Sequence, residues 1–179
     1  MRLARILVAA SERVARLTEY LGAGVFGIMA LLIIIQVFFR YVMQSSLSWS
    51  EEVAIYLFIW LVMLGASVGV RRGFHVSVRF VADRLPSGVA RALRLALGLL
   101  MLLFFGVLVT EGFSLAQRIS FQLSPAARIP IRWVYLSVPV SGALSFLHVV
   151  AHLMDDWFLS GEKTQAQMSK DAVRQEVSG

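Results

Sequence analysis

No cysteine occurs among the 179 residues, which removes disulfides, thiol nucleophiles and cysteine metal sites together and leaves the redox compartment undetermined. Charge is scarce too. Asp, Glu, Lys and Arg make up 16% of the chain, too little polar surface for an ordinary soluble domain of this length. No Ser-His-Asp order, phosphate loop or Walker pattern is present, so nothing points to an enzyme. Nor does an acidic or basic residue stand deep in an apolar run: Gln36 is the most polar deep residue of the first three runs, and Glu111 lies near the outer end of the third. A small ion-coupled exporter would be expected to carry a buried carboxylate, so the lack of one argues against autonomous ion-coupled transport, with backbone carbonyls at a broken helix as the remaining route to an ion site.

Apolar surface is what the chain has in quantity. Hydrophobic residues are 58% of it and the mean hydropathy is +0.74, the composition of a membrane protein. Four runs, 20–42, 53–70, 93–113 and 133–153, are long enough to cross a bilayer as helices, because about 20 apolar residues span the hydrocarbon and only a helix satisfies its own backbone there. The fold class expected is all-α, with four transmembrane helices. The run ILVAA ahead of the first is too short for a signal-peptide core, so the first span is expected to be retained.

Arginine and lysine set the expected orientation. Arg2, Arg5, Arg13, Arg16, Arg71, Arg72, Arg79, Arg84, Arg91, Arg94, Lys163, Lys170 and Arg174 fall on one side of the four spans. Only Arg40, Arg118, Arg128 and Arg132 fall on the other. The positive-inside rule then places both termini in the cytoplasm. Tyr41, Trp49, Trp133 and Tyr135 at the outer ends and Tyr20 and Trp157 at the inner ends fit an interfacial aromatic belt. The net charge of +6 reports orientation and contact with anionic membrane lipids, and no nucleic acid is expected as a partner.

Span two sorts its charges by sign: Glu51 and Glu52 open SWSEEVAIYLFIWLVMLGASVGVRRGFH, and Arg71 and Arg72 close it. Both pairs suit the helix macrodipole, and Ser48 with Glu51 fits a capping box. Glu51 is expected to cap and Glu52 to face a protein partner. In the N-terminal tail Leu3, Leu7, Ala10, Val14 and Leu17 form a helical stripe, with Glu12 placed to pair with Arg16. After span two, Phe74, Val78, Val81 and Leu85 form another, ended by Pro86. Two amphipathic interfacial helices are expected there. Residues 1–159 read as one membrane domain and 160–179 as a polar, mobile cytoplasmic tail.

His148, His152 and Asp156 share a stripe of span four that could ligate a metal, but both histidines approach the inner interface, where water suffices. A bis-histidine haem would need His75 as the facing ligand, and His75 reads instead as an interfacial hydrogen-bonding residue. No metal or cofactor is expected. Gly65 and Gly69 make a G-x-x-x-G, and Ser137, Ser141 and Ser145 a second small stripe. Both are expected to be helix-docking faces.

The stretch SWSEEVAIYLFIWLVMLGASVGVRRGFHVSVRFVADRLP resembles the signature of the small membrane subunit of tripartite ATP-independent periplasmic (TRAP) transporters, the DctQ-like family. Its Trp-x-Glu-Glu opening, Leu-Gly-Ala centre, Arg-x-Gly-x-His exit and Asp-Arg-Leu-Pro close carry the likeness. SPAARIPIRWVYLSVPVSG is similar to that family's approach to its last span. The resemblance gives Trp49, Glu51, Glu52, Gly65, Arg71, Gly73 and His75 as motif positions and assigns catalysis to none. It implies a multi-pass protein of the bacterial inner membrane that scaffolds a large membrane subunit, which would carry the sodium and substrate sites. A periplasmic solute-binding receptor would deliver the substrate, commonly an organic acid anion. A stand-alone transporter or channel and a cofactor-bearing membrane anchor are the alternatives. Ion-driven flux by this chain alone would mark the first and a haem spectrum the second.

Overall fold

The computed structural model describes residues 2–45, 47–82 and 87–155, with side chains at all of these except 2, 3, 74–82, 87 and 91. Five helices follow one another: α1 Arg2–Tyr41, α2 Ser48–Ala82, α3 Ser87–Arg118, α4 Arg132–Tyr135 and α5 Ser137–Met154. Four helical stretches are long and apolar enough to cross a membrane, with α4 and α5 together making the last. The break between α4 and α5 has a cause in Pro139. Lacking an N–H, it cannot bond the carbonyl four residues back, and it is tolerated in the first turn of α5.

Three helices outrun the bilayer. The 40 residues of α1 extend about 60 Å at 1.5 Å per residue, roughly twice the hydrocarbon thickness. The N-terminal amphipathic segment is therefore helical as expected, but it continues span one without interruption and is not a separate interfacial helix. The segment after span two is likewise an extension of α2 up to Ala82. The Phe74, Val78 and Val81 side chains, and Leu85 and Pro86 entirely, lie outside the described residues, as do Asp156, Trp157 and the 160–179 tail.

α5 is the central helix. It touches α1, α2 and α3, and α1 and α3 do not touch each other among the described residues. Half of the last span is buried, against 6–11% of the other three. Its neighbours approach closely through small residues, since lipid gives helices no apolar driving force and contact must come from packing. On α1 the buried line is Ala4, Ser11, Ala15 and Thr18. Leu7, Ala10 and Val14 flank it half-buried, and Leu17 is exposed, so the contact face lies one residue away from the expected stripe. On the α3–α5 seam a Cβ on Gly98 would collide with Leu153, one on Gly112 would come within 3.0 Å of Pro139, and one on Gly142 within 3.1 Å of Val109.

Candidate functional site

At the arginine-rich end the three helices α1, α2 and α5 meet in a polar clasp. Ser11 Oγ lies 2.8 Å from His148 Nδ1. His152 donates from Nε2 to the Arg71 carbonyl at 2.9 Å, which leaves Nδ1 to accept from Arg71 Nη1 at 3.3 Å. Arg71 also reaches Glu12 Oε2 through Nη2 at 3.3 Å. Arg72 pairs with Glu19 on the next turns.

Both histidines are fully buried, so the expectation of hydrated interfacial residues is wrong: the extended arginine-rich turns of α1 and α2 cover them. Glu12 pairs with Arg71 and not with Arg16. Arg71 is no terminal dipole partner, because α2 continues eleven residues beyond it and its side chain is only 13% exposed. His148 Nε2 and Arg71 Nε are buried without a partner among the described residues. Also among the described residues, no three His, Asp or Glu side chains converge as a metal would require.

At the opposite end Glu52 turns inward. Its Oε2 accepts the backbone N–H groups of Ala126 and Ala127 at 3.0 and 2.7 Å, and its Oε1 accepts the Tyr56 hydroxyl at 2.8 Å. These bonds anchor the 119–131 connection to α2. The connection is a compact loop: Ser124 N–H donates to Ile129 O, Ile131 N–H donates to Gln122 O, and Arg128 takes a left-handed φ of 55° to close the turn.

The expectation that Glu52 faces a protein partner is not what its contacts show, since all three join it to its own chain. Glu52 is an internal loop anchor, and Glu51 is the exposed one, 3.9 Å from Arg40. Ser48 lies inside the helix, and no hydrogen bond from its side chain appears among the described residues, so the capping box is not formed. Glu51 does sit in the first turn, where its charge suits the helix end. Trp49 is 45% exposed.

Between the two ends, Ser141 Oγ donates to the Met63 carbonyl of α2 at 2.6 Å, and Trp60 Nε1 donates to the Trp133 carbonyl at 3.0 Å. Ser137, Ser141 and Ser145 are all buried. That small-residue face docks within the chain. The G-x-x-x-G face does not: a Cβ at Gly65, Gly69 or Gly73 would meet nothing within 4 Å. The side chain of His75 lies outside the described residues.

Of the motif positions, the structure therefore brings Arg71 into one clasp and Glu52 into the other, and leaves Trp49, Gly65, Gly73 and Glu51 on open surface. Sequence reasoning missed Ser11, Gly98, Gly112 and Gly142. The spacing of 14 residues between Gly98 and Gly112, two heptads on one face, was the available signal.

Every one of these contacts joins one part of the chain to another, and none presents a nucleophile, an oxyanion site or a carboxylate pair to a cavity. Residues 29–159 match the family described as tripartite ATP-independent periplasmic transporters, DctQ component. The chain is similar to the sialic acid TRAP transporter small permease protein SiaQ of Vibrio cholerae, 31% identical over 103 residues that cover 58% of this chain and 60% of that one. It is similar to the C4-dicarboxylate TRAP transporter small permease protein DctQ of Rhodobacter capsulatus, 35% identical over 102 residues that cover 55% and 44%. It is also similar to the sialic acid TRAP transporter permease protein SiaT of Haemophilus influenzae, 29% identical over 135 residues that cover 75% of this chain and 22% of that one. The chain thus spans less than two thirds of the length of each of these curated relatives.

Proposed function

The chain belongs to the DctQ component family of tripartite ATP-independent periplasmic transporters, and from that premise we propose that it scaffolds a larger permease subunit for sodium-coupled, receptor-dependent uptake of an organic acid anion. It is a multi-pass inner-membrane protein and a transporter component, not an enzyme. In the proposed arrangement the larger subunit holds the sodium and substrate sites, a periplasmic receptor delivers the solute, and both termini of this chain face the cytoplasm.

The observation that carries the reading is how the interior polar groups are used. Ser11, Glu12, Arg71, His148 and His152 bind one another across three helices, and Ser141 binds a neighbouring backbone. Helices locked in this way suit an immobile support. Meanwhile α1, α2 and α3 leave most of their apolar surface open, as a partial bundle would that is completed by another chain. The relatives named for sialic acid and for C4-dicarboxylates both point to carboxylates as the solute class. The test is affinity purification of the tagged chain from membranes that also contain a multi-span TRAP permease subunit. Stable copurification is expected, and recovery of the chain alone would refute the scaffold role.

A further inference from the structure

Among the described residues, one carboxylate without an ion pair or hydrogen bond faces outward from a stretch long and apolar enough to cross a membrane. The α3–α5 seam fixes its level in the bundle. Gly98 meets Leu153, Val109 meets Gly142 and Gly112 meets Pro139, so the helices run antiparallel in a single register. That register puts Arg118, at the end of α3, level with Trp133. Glu111 stands seven residues before Arg118, about 10 Å back along α3 at 1.5 Å per residue.

Glu111 is exposed. It occupies the face of α3 opposite the seam, in line with Val107, Phe104 and Leu100, which are 52%, 58% and 61% exposed. Among the described residues it has no ion pair or hydrogen bond, and Arg118 is two turns away. An ionised carboxylate in hydrocarbon is costly, and such groups in membrane spans pair with a cation or face a protein interior. The adjoining Gly112 is buried against Pro139 of α5, so rotation of α3 to hide Glu111 would break that seam.

We infer that Glu111 pairs with an arginine or lysine on a helix of the larger permease subunit, which packs along the Leu100, Phe104 and Val107 face of α3. This rests on the scaffold reading and locates the contact it requires. A basic partner satisfies the carboxylate, and an apolar helix around it matches the rest of the stripe. The pair also fixes rotation and register, since only one placement of the partner helix brings the cation level with Glu111.

The experiment is copurification of the larger subunit with tagged wild type, Glu111→Gln, Glu111→Lys and Val107→Trp chains, alongside thermal unfolding of each small chain purified alone in detergent. Removal of one member of a desolvated pair is expected to lower retention about tenfold for Glu111→Gln. Glu111→Lys, which sets like charges together, is expected to lower it further, and Val107→Trp to lower it by steric block. The isolated chains are expected to unfold at the wild-type temperature, because Glu111 makes no ion pair or hydrogen bond among the described residues. Full retention by both Glu111 variants, with wild type also retaining the subunit, would overturn this contact and leave the scaffold reading standing. Failure of wild type to retain it would overturn both. Destabilisation of isolated Glu111→Gln would assign the carboxylate to the chain's own fold and overturn the contact.

Discussion

Ser11→Ala removes one hydroxyl, but its effect falls on His148. Ser11 Oγ is 2.8 Å from His148 Nδ1, both residues are 0% exposed, and His148 Nε2 already lacks a partner among the described residues. The substitution leaves an imidazole with neither nitrogen paired in a site sealed from water. Leaving a buried polar group unsatisfied costs about 1–3 kcal/mol, whereas an ordinary interhelical hydrogen bond in lipid averages about 0.6 kcal/mol.

His148→Leu in the same chain removes both nitrogens and fills the site with an apolar side chain of similar size. The double variant Ser11→Ala, His148→Leu is therefore expected to be more stable than Ser11→Ala alone and within about 1 kcal/mol of wild type. His148→Leu alone should also be mild, because the Ser11 hydroxyl can turn to the carbonyl four residues back, as Thr18 does to Val14 at 2.9 Å. The assay is equilibrium unfolding of the purified chain in mixed micelles titrated with a denaturing detergent, run as a double-variant cycle. A double variant less stable than either single one, with costs that add, would refute the reasoning.

Arg71→Lys is expected to lower stability by about 1–2 kcal/mol in the same assay, because one ammonium cannot serve both Glu12 and His152, and Glu12 is exposed enough to soften the loss. Gly112→Ala should cost about 1–3 kcal/mol, since its Cβ would press on the Pro139 ring and backbone, which cannot yield. Gly98→Ala should be nearly neutral because the obstructing Leu153 side chain can rotate, and Gly65→Ala and Gly69→Ala should cost the isolated chain nothing. Glu52→Gln is expected to speed hydrogen exchange at the Ala126 and Ala127 amides without altering exchange in α1, and unchanged exchange at those two amides would contradict the loop-anchor role.

The four spans were legible because nothing else accounts for uncharged apolar runs of that length, and the Ser137, Ser141, Ser145 face because its spacing repeats on one side of a helix. The extent of α1 was not. An amphipathic segment lying on a membrane and one continuing a span have the same periodicity, and only the contacts of Ser11, Glu12 and Glu19 with α2 and α5 distinguish them. Glu12 illustrates the limit of local pairing, since Arg16 is one turn away while the partner it takes, Arg71, is 59 residues distant. The histidines were misjudged for the same reason, as their burial depends on extensions of other helices. The G-x-x-x-G pattern drew attention to Gly65 and Gly69, while the closest approaches use Gly98, Gly112 and Gly142, which form no short motif. The loop-anchor role of Glu52 could not be assigned locally, because beside the nearby Tyr56 hydroxyl its partners are two backbone amides 74 and 75 residues away.

Solute flux tests the scaffold role most directly. Vesicles containing this chain alone, the larger permease subunit alone, or both would be loaded with receptor and a labelled carboxylate outside and challenged with an inward sodium gradient. Uptake is expected only where both membrane subunits and the receptor are present, and Ser11→Ala should reduce it only as far as it reduces the amount of assembled complex. Sodium-driven accumulation by vesicles that contain this chain and no larger subunit would contradict the scaffold role outright.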